Sequence, residues 1–343
     1  MLNKITNYEI SRSENIKKYF YSVNENNINI NCNIFKGNFY LDSYNYFPIS
    51  NKNEIFEEIF KRDSNQSIEH FYTNQFESKF QDEKKNFKVF SDIFVLGSNA
   101  ADNYYSNLIH FLPRLFYNTE KNVTIAIHRN LSNNFRKFII NLNKQRNINT
   151  KFLFLDDDFY TFKNSLMPQF LSLENSIKVL NNFIIPKSAE KKYEKIYLTR
   201  GDSNYRKLLN EFDIIPILKK FGYQIINLRL YTIEEQINIF SKANYIISPH
   251  GSNLANILFC KKGTRIYEIG PKFDKSFEAN LDNRYKKICD IKELKYKKII
   301  ADTVDVSKHS DLSKKYIGKS YLEKSNYYKN LIVKINELKS LVN

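Results

Sequence analysis

From about residue 87 onward, the apolar and polar positions of the chain switch repeatedly between a period near two and a period near 3.6. Short apolar runs predict strands at Lys88–Leu96, Val123–His128, Lys151–Leu155, Ile196–Thr199, Tyr223–Leu228, Tyr245–Ile247 and Thr264–Ile269. Between them, apolar residues recur at helical spacing. Tyr104, Leu108, Phe111, Leu112 and Leu115 predict a helix within Asn99–Leu115, which Pro113 should end or kink. Leu131–Leu142 predicts an amphipathic helix, and a further helical region runs to Phe221 and closes at Gly222. Thr232 and Glu235 have capping-box spacing before a helix with Ile233, Ile237 and Phe240 on one face. Leu254, Ile257 and Leu258 predict a helix that Gly263 stops. Apolar residues at 328, 331, 332, 335, 338 and 341 predict a C-terminal amphipathic helix docked on a domain. Strands alternating with helices predict an α/β fold with parallel sheets.

The first 90 residues are polar, aromatic and less regular. Ile34–Phe47 predicts a hairpin or irregular strands around Gly37, and Glu54–Phe60 a short helix. Phe183–Lys195 reads as a linker, after which a second alternation begins. The expected division is therefore a first Rossmann-like domain at 1–186, a second at 187–305 and a helical tail at 306–343, the two domains facing a cleft.

Composition narrows the class. A chain of 343 residues that is 42% hydrophobic and 15% aromatic can bury sizeable cores. The net charge of +16 fits nucleic acid, an anionic membrane face or an anionic substrate without choosing among them. Cys32, Cys260 and Cys289 are far apart and form no CxxC pair, which removes zinc-ribbon and thioredoxin-like readings and fits a reducing compartment. The start MLNKITNYEI has no apolar signal core, and no run of about 18 apolar residues exists to span a membrane. A cytoplasmic place is the expectation, and the basic stretch Arg284–Lys298 permits peripheral contact with an anionic inner membrane face.

The densest chemistry lies in Ala243–Pro271. A strand runs into Pro249-His250-Gly251-Ser252, and a helix follows at once. Free N–H groups at such a helix start suit a phosphate, here including those of Ser252 and Asn253. Gly251 lets the backbone approach a ligand, and Glu268 falls near the end of the next strand. In the loop after Ile196–Thr199, Arg200 and Arg206 add guanidinium forks that match phosphate oxygens. On the earlier helix, His110 and Arg114 lie four residues apart and share a face, with Asp102 and Asn103 just upstream. Asp156-Asp157-Asp158 invites Mg²⁺ or Mn²⁺ but is equally an acidic turn after a strand, and the turn is the expectation. Neither GxGxxG nor GxxxxGK[ST] occurs, so dinucleotide and P-loop sites lack their fingerprints. A nucleotide sugar is the simplest ligand with a diphosphate for the arginines and a ribose whose hydroxyls Glu268 can accept.

NYYSNLIHFLPRL, YLTRGDSNYRKLLNE and IISPHGSNLANILFCKKGTRIYEIGP together resemble the signature blocks of glycosyltransferase family 61 over about residues 95–271. The resemblance implies a GT-B fold and an inverting, metal-independent transfer. It places Arg200, Arg206, Asn210, Glu211, His250, Gly251, Asn256 and Glu268 on motif positions. In the family's first block a histidine stands at the place of Ser106 and an acid at the place of His110, so this chain departs at both. His110 is the expected general base, with Asp102 in reserve, and Arg114 and Asn103 are expected on the acceptor side.

The reaction expected is transfer from a nucleotide-diphosphate sugar, a UDP-sugar being favoured, to a glycan or lipid-linked glycan of a bacterial surface polysaccharide. No metal or other cofactor and no nucleic acid is expected. The rival is a non-catalytic nucleic-acid or anionic-glycan binding protein, resting on the charge and the aromatics.

Overall fold

The computed structural model describes residues 9–13, 16–25, 28–43, 47–49, 84–97, 101–186, 193–201, 203–273, 283–306 and 325–342. The helix expected at Glu54–Phe60 lies outside the described residues. The chain divides into two compact units, Met1–Ile185 and Pro186–Asn343.

The first unit is built on a mixed sheet of nine strands in the order β1-β2-β3-β9-β6-β7-β8, with β4 on β3 and β5 on β9. These strands are β1 Glu9–Ser13, β2 Ile16–Glu25, β3 Ile28–Asp42, β4 Phe47–Ile49, β5 Lys88–Ser91, β6 Ile93–Val95, β7 Asn122–His128, β8 Asn149–Leu155 and β9 Phe159–Pro168. β6, β7 and β8 pair in parallel, which is the expected alternating core. The antiparallel pairing of β1, β2, β3 and β9 is an addition that periodicity did not announce. Of the two forms expected for Ile34–Phe47, the irregular strand is the one found: β3 runs on through Gly37 with a register shift between Gly37 and Phe39, and no hairpin turns there. The single strand expected at Lys88–Leu96 is broken at Asp92, whose φ of 58° turns the chain between β5 and β6.

Three helical pieces accompany this sheet. The first starts as α1, Tyr104–Ser106, widens to a π turn over Asn107–Phe111 and tightens to a 3-10 segment over Leu112–Tyr117. Pro113 sits in the first turn of the 3-10 segment, where its missing N–H costs no helical bond. α2, Asn133–Gln145, buries Phe135, Phe138, Ile139 and Leu142, a stripe of i, i+3, i+4 and i+7 positions. α3, Leu173–Phe183, opens on Ser172, which accepts a hydrogen bond from the Asn175 N–H.

The second unit is an open sheet in the order β11-β10-β12-β13-β14-β15. Its strands are β10 Lys195–Leu198, β11 Gln224–Ile226, β12 Tyr245–Pro249, β13 Arg265–Pro271, β14 Lys295–Val304 and β15 Asn330–Ile332. All pairs are parallel except β14 with β15. The strand order reverses at β10, which has β11 on one side and β12 on the other. Open α/β sheets bind ligands in the crevice at the carboxyl ends of the strands that flank such a reversal.

The connecting helices are α4 Glu211–Lys220, α5 Ile233–Lys242, a 3-10 helix at Ser252–Phe259 and α6 Arg284–Ile291. The capping box at α5 is complete, with the Thr232 hydroxyl taking the Glu235 N–H at 3.2 Å and Glu235 taking the Thr232 N–H at 2.7 Å. Gly222 and Gly263 both follow helices with φ near 80°, a conformation that L side chains rarely adopt.

The C-terminal stretch differs from the helix expected at Tyr328–Leu341. It forms a 3-10 turn at Asn326–Tyr328, then β15, then α7 at Ile335–Val342. Leu331 and Val333 are buried while Ile332 between them is 38% exposed, so this part obeys the strand period. Leu331, Val333 and Leu338 join Tyr197, Ile247 and Ile299 in the core of the second unit.

Candidate functional site

Arg200 and Arg206 leave the end of β10 in a loop whose start is fixed by α4. Glu211, in the first turn of α4, accepts hydrogen bonds from the Tyr197 hydroxyl at 2.7 Å and the Thr199 hydroxyl at 2.9 Å. Arg206 has a φ of 57°, a sparsely populated conformation for a residue with a Cβ. Strain of this kind clusters where side chains are aimed for a purpose. The Arg206 guanidinium lies over the Tyr327 ring at 4.2 Å and the Tyr205 ring at 5.0 Å.

The end of β12, next to β10, supplies the second wall. The Arg200 guanidinium packs directly on Gly251: a Cβ built there would lie 2.8 Å from the Arg200 Cζ and closer still to Nη1. Gly251 has an extended backbone with φ −177°, so the glycine serves this close approach and relieves no strain. Its carbonyl accepts from the Tyr285 hydroxyl at 2.6 Å. The helix that follows is 3-10, with Gly251 at its cap position.

His250 and Glu268 are both fully buried. Nδ1 of His250 faces Oε1 of Glu268 in a short contact, and the other Glu268 oxygen accepts from the Tyr296 hydroxyl at 2.8 Å. The register that pairs Ser248 with Glu268 puts the carboxylate beneath the turn that carries the histidine. The rings of Tyr285, Tyr327 and Phe273 stand at 5.1, 5.2 and 5.9 Å from the imidazole, each edge-on.

Burial sets the electrostatics. It depresses the His250 pKa to about 4, against the opposing pull of Glu268, so the ring is neutral near pH 7. Burial and the neighbouring Arg206 charge lower the Arg200 pKa to about 10, which still leaves it cationic. Burial alone would raise the Tyr327 phenol, but the cations of Arg206 and Arg284 outweigh it and hold the group below its ordinary value. The site thus combines two neighbouring guanidinium groups with a neutral imidazole. Nε of Arg200, Nε and Nη1 of Arg206 and Nε2 of His250 are buried with no hydrogen-bond partner among the described residues. Orphaned donors on paired cations form a receptacle for an anion with several oxygens.

The structure therefore brings together Arg200, Arg206, His250, Gly251 and Glu268. The other donor-side expectations fall differently. Ser252 and Asn253 open the 3-10 helix and are half-buried. Asn256 is buried and donates to Gln236 of α5 and to the Asn253 carbonyl, each at 3.2 Å, which ties helix to helix. Asn210, a motif position by resemblance, clamps the C-terminal segment: its amide donates to the Val333 carbonyl at 2.8 Å and its carbonyl accepts from the Val333 N–H at 3.2 Å.

In the first unit, His110 lies on the π turn, half-buried, with its ring 5.6 Å from Tyr105 and 6.4 Å from Phe170. Arg114 is fully buried, donating to the carbonyls of Pro168 and Gly97 at the ends of β9 and β6 and lying over Phe170 at 4.2 Å. Asn103 caps α1 through its side-chain oxygen, 3.2 Å from the Ser106 N–H, and Asp102 is exposed. The three aspartates have local partners: Asp156 pairs with Arg129 at 2.7 Å, Asp157 meets His128 at 2.8 Å, and Asp158 caps the Phe159 N–H at 2.9 Å. No group of three or more His, Cys, Asp or Glu side chains suited to a metal occurs among the described residues.

Sequence reading did not single out Tyr205, Phe273, Tyr285, Tyr296 and Tyr327, which enclose the site. With 24 tyrosines and 28 phenylalanines in the chain, no spacing signal distinguishes these five. Four of them lie beyond Pro271, and two of these, Tyr285 and Tyr296, fall in the stretch that reads as a basic face.

A family description, Glycosyltransferase 61, matches residues 68–267. That span holds both arginines of the loop, the His250-Gly251 turn and the π turn with His110. Comparison with curated proteins finds no match.

Proposed function

The chain belongs to the glycosyltransferase 61 family, and from that premise we propose that it transfers a sugar from a nucleoside-diphosphate donor to a glycan acceptor with inversion. The observation that carries the donor assignment is the pair Arg200 and Arg206 at the strand-order reversal of the second unit, with buried donor atoms left unpaired. Two cations with no paired carboxylate among the described residues suit a diphosphate, whose charge grows as the sugar leaves.

In this reading the acceptor hydroxyl oxygen bonds to the anomeric carbon as the bond from that carbon to the diphosphate oxygen breaks. The electron pair leaves on the diphosphate oxygen, and the negative charge that grows there is stabilised by Arg200 and Arg206. The hydroxyl proton goes to a base, and His110 is the proposed base with Asp102 in reserve. A π turn supports this choice, because that geometry concentrates at functional positions. Arg114, braced on two carbonyls, and Asn103, at the cap of α1, hold the segment that carries His110. The proposed architecture is GT-B, with donor residues in the second unit and acceptor residues in the first. Metal independence belongs to the proposal, since the arginines take the charge a divalent ion would otherwise meet. So do a UDP-sugar donor, a lipid-linked or surface-polysaccharide acceptor and a place at the inner face of a bacterial membrane.

The test is a thermal-shift screen of UDP-, GDP-, ADP- and CMP-sugars, followed by product analysis with the best donor. A diphosphate sugar should give the largest shift, turnover should survive EDTA, and His110→Ala should lower turnover by about 10²–10⁴-fold with donor binding intact. Near-normal turnover in His110→Ala with a dead Asp102→Ala would move the base to the carboxylate. Loss of turnover in EDTA, restored by Mn²⁺, would remove metal independence.

A further inference from the structure

Glu268, expected to meet a ribose, lies fully buried beside His250. One of its oxygens faces Nδ1 of His250, and the other accepts from the Tyr296 hydroxyl. A carboxylate only accepts hydrogen bonds, so the proton of the neutral imidazole must sit on Nδ1. That leaves Nε2 as a bare lone pair. Nε2 is buried and has no partner among the described residues. The phenols beside the ring make other bonds: Tyr285 donates to the Gly251 carbonyl, and the Tyr327 oxygen accepts from Arg206.

We propose that Glu268 is a positioning residue that fixes the tautomer of His250, and that Nε2 of His250 accepts a hydrogen bond from a hydroxyl of the bound nucleotide sugar. The inference rests on the donor-site reading above. Its chemical basis is complementarity of donors and acceptors. The oxygens of an ionised diphosphate only accept, and they satisfy the orphaned Arg200 and Arg206 donors. They cannot satisfy Nε2, which also only accepts. Hydroxyl groups are the donors a nucleotide sugar carries close to its diphosphate, on the ribose at one side and the sugar at the other. The site then reads two things at once: charge through the arginines and a hydroxyl through the imidazole. An imidazolium donating to the diphosphate is the competing arrangement, and it requires His250 to take up a proton when the anion binds.

Isothermal titration of the full chain separates these. The probes are inorganic pyrophosphate, UDP, GDP and ADP, their 2′-deoxy and 3′-deoxy forms, and the matching nucleotide sugar, each in two buffers of different ionisation enthalpy. Removing the hydroxyl that His250 reads should weaken binding by about threefold to tenfold, the usual worth of a neutral hydrogen bond. A ribose source shows as discrimination against one deoxy form. A sugar source shows as tighter binding of the nucleotide sugar than of the diphosphate. Proton uptake should be near zero, and ¹⁵N resonances of His250 should report an unprotonated Nε2 with and without nucleotide. In Glu268→Ala, the hydroxyl discrimination should disappear while pyrophosphate affinity is kept. Uptake of about one proton per nucleotide, or equal binding of all hydroxy, deoxy and sugar-bearing forms by the wild type, overturns the assignment even if Glu268→Ala fails to fold. Pyrophosphate affinity that is unchanged in Arg206→Ala removes the donor-site reading, and this assignment with it.

Discussion

Gly251 shows how one missing methyl group can set the position of a charge. Its backbone is extended and would accept alanine without strain, but the added Cβ would displace the Arg200 guanidinium. Arginine is flexible enough to move aside, so Gly251→Ala should change stability little and lower nucleoside-diphosphate affinity as Arg200→Ala does. The expected loss is about 1.5–3 kcal/mol, typical of a charge-assisted hydrogen bond. Because both changes remove the same contact, the double variant should bind no more weakly than either single one in a titration. Additive losses would show that Gly251 acts on something other than Arg200.

His250 makes a second prediction at the same scale. Its folded-state pKa is depressed to about 4 by burial, from 6.5 for the free group. Above pH 6.5 both folded and unfolded chains carry it neutral, and it adds no pH dependence. As the pH falls from 6.5 towards 4, the unfolded chain gains a proton that the folded one refuses, so stability drops. The full drop is on the order of 3 kcal/mol. Urea unfolding at pH 7 and pH 4.5 should show a steeper loss for the wild type than for His250→Gln. Equal losses in the two proteins would mean that this ring is not held neutral.

Among the elements, the C-terminal segment does the most that its sequence conceals. Residues 325–342 extend the second sheet, fill its core with Leu331, Val333 and Leu338, and carry Tyr327 to the Arg206 and His250 side chains. Leu338→Ala should cost about 2–5 kcal/mol in urea unfolding, as for other buried leucines. A cost below about 1 kcal/mol, the range of surface positions, would mean that α7 is not docked as described. The stretch was read as one helix because positions 328, 331, 332, 335, 338 and 341 happen to fit a helical period. Burial of Leu331 and Val333 on either side of exposed Ile332 depends on the partner strand β14, and single-sequence periodicity carries no information about a partner. β9 was passed over for a related reason. It follows β8 after the three aspartates with no apolar break, and Asn164, with a φ of 45°, interrupts its alternation. The elements that were legible carry strong local signals: β7 and β12 are short apolar runs, and α2 and α5 have a helical period with Ser132 and Thr232 as caps.

For the whole molecule, the order of the second sheet explains why residues far apart in the chain meet. Arg200 and Arg206 follow β10, His250 and Gly251 follow β12, and these two strands are neighbours at the reversal. The loop arginines and the His-Gly turn were readable because charged residues and turn formers directly after apolar runs stand out. The tautomer-fixing role of Glu268 was not readable, since a carboxylate in a strand looks the same whether it meets ligand or histidine. The net charge of +16 leaves open a nucleic-acid partner, whereas the proposed donor site rests on two cations, Arg200 and Arg206, which carry buried donors with no partner among the described residues. Titration of the best nucleoside diphosphate and of a single-stranded oligonucleotide into wild type and Arg206→Ala, at about 8 Å Debye length, tests this most directly. The account predicts that the nucleotide binds the wild type more tightly than the oligonucleotide does, and that Arg206→Ala weakens the nucleotide about tenfold or more while leaving the oligonucleotide unchanged. Unchanged nucleotide affinity in Arg206→Ala, or an oligonucleotide that binds more tightly than any nucleoside diphosphate, would contradict it.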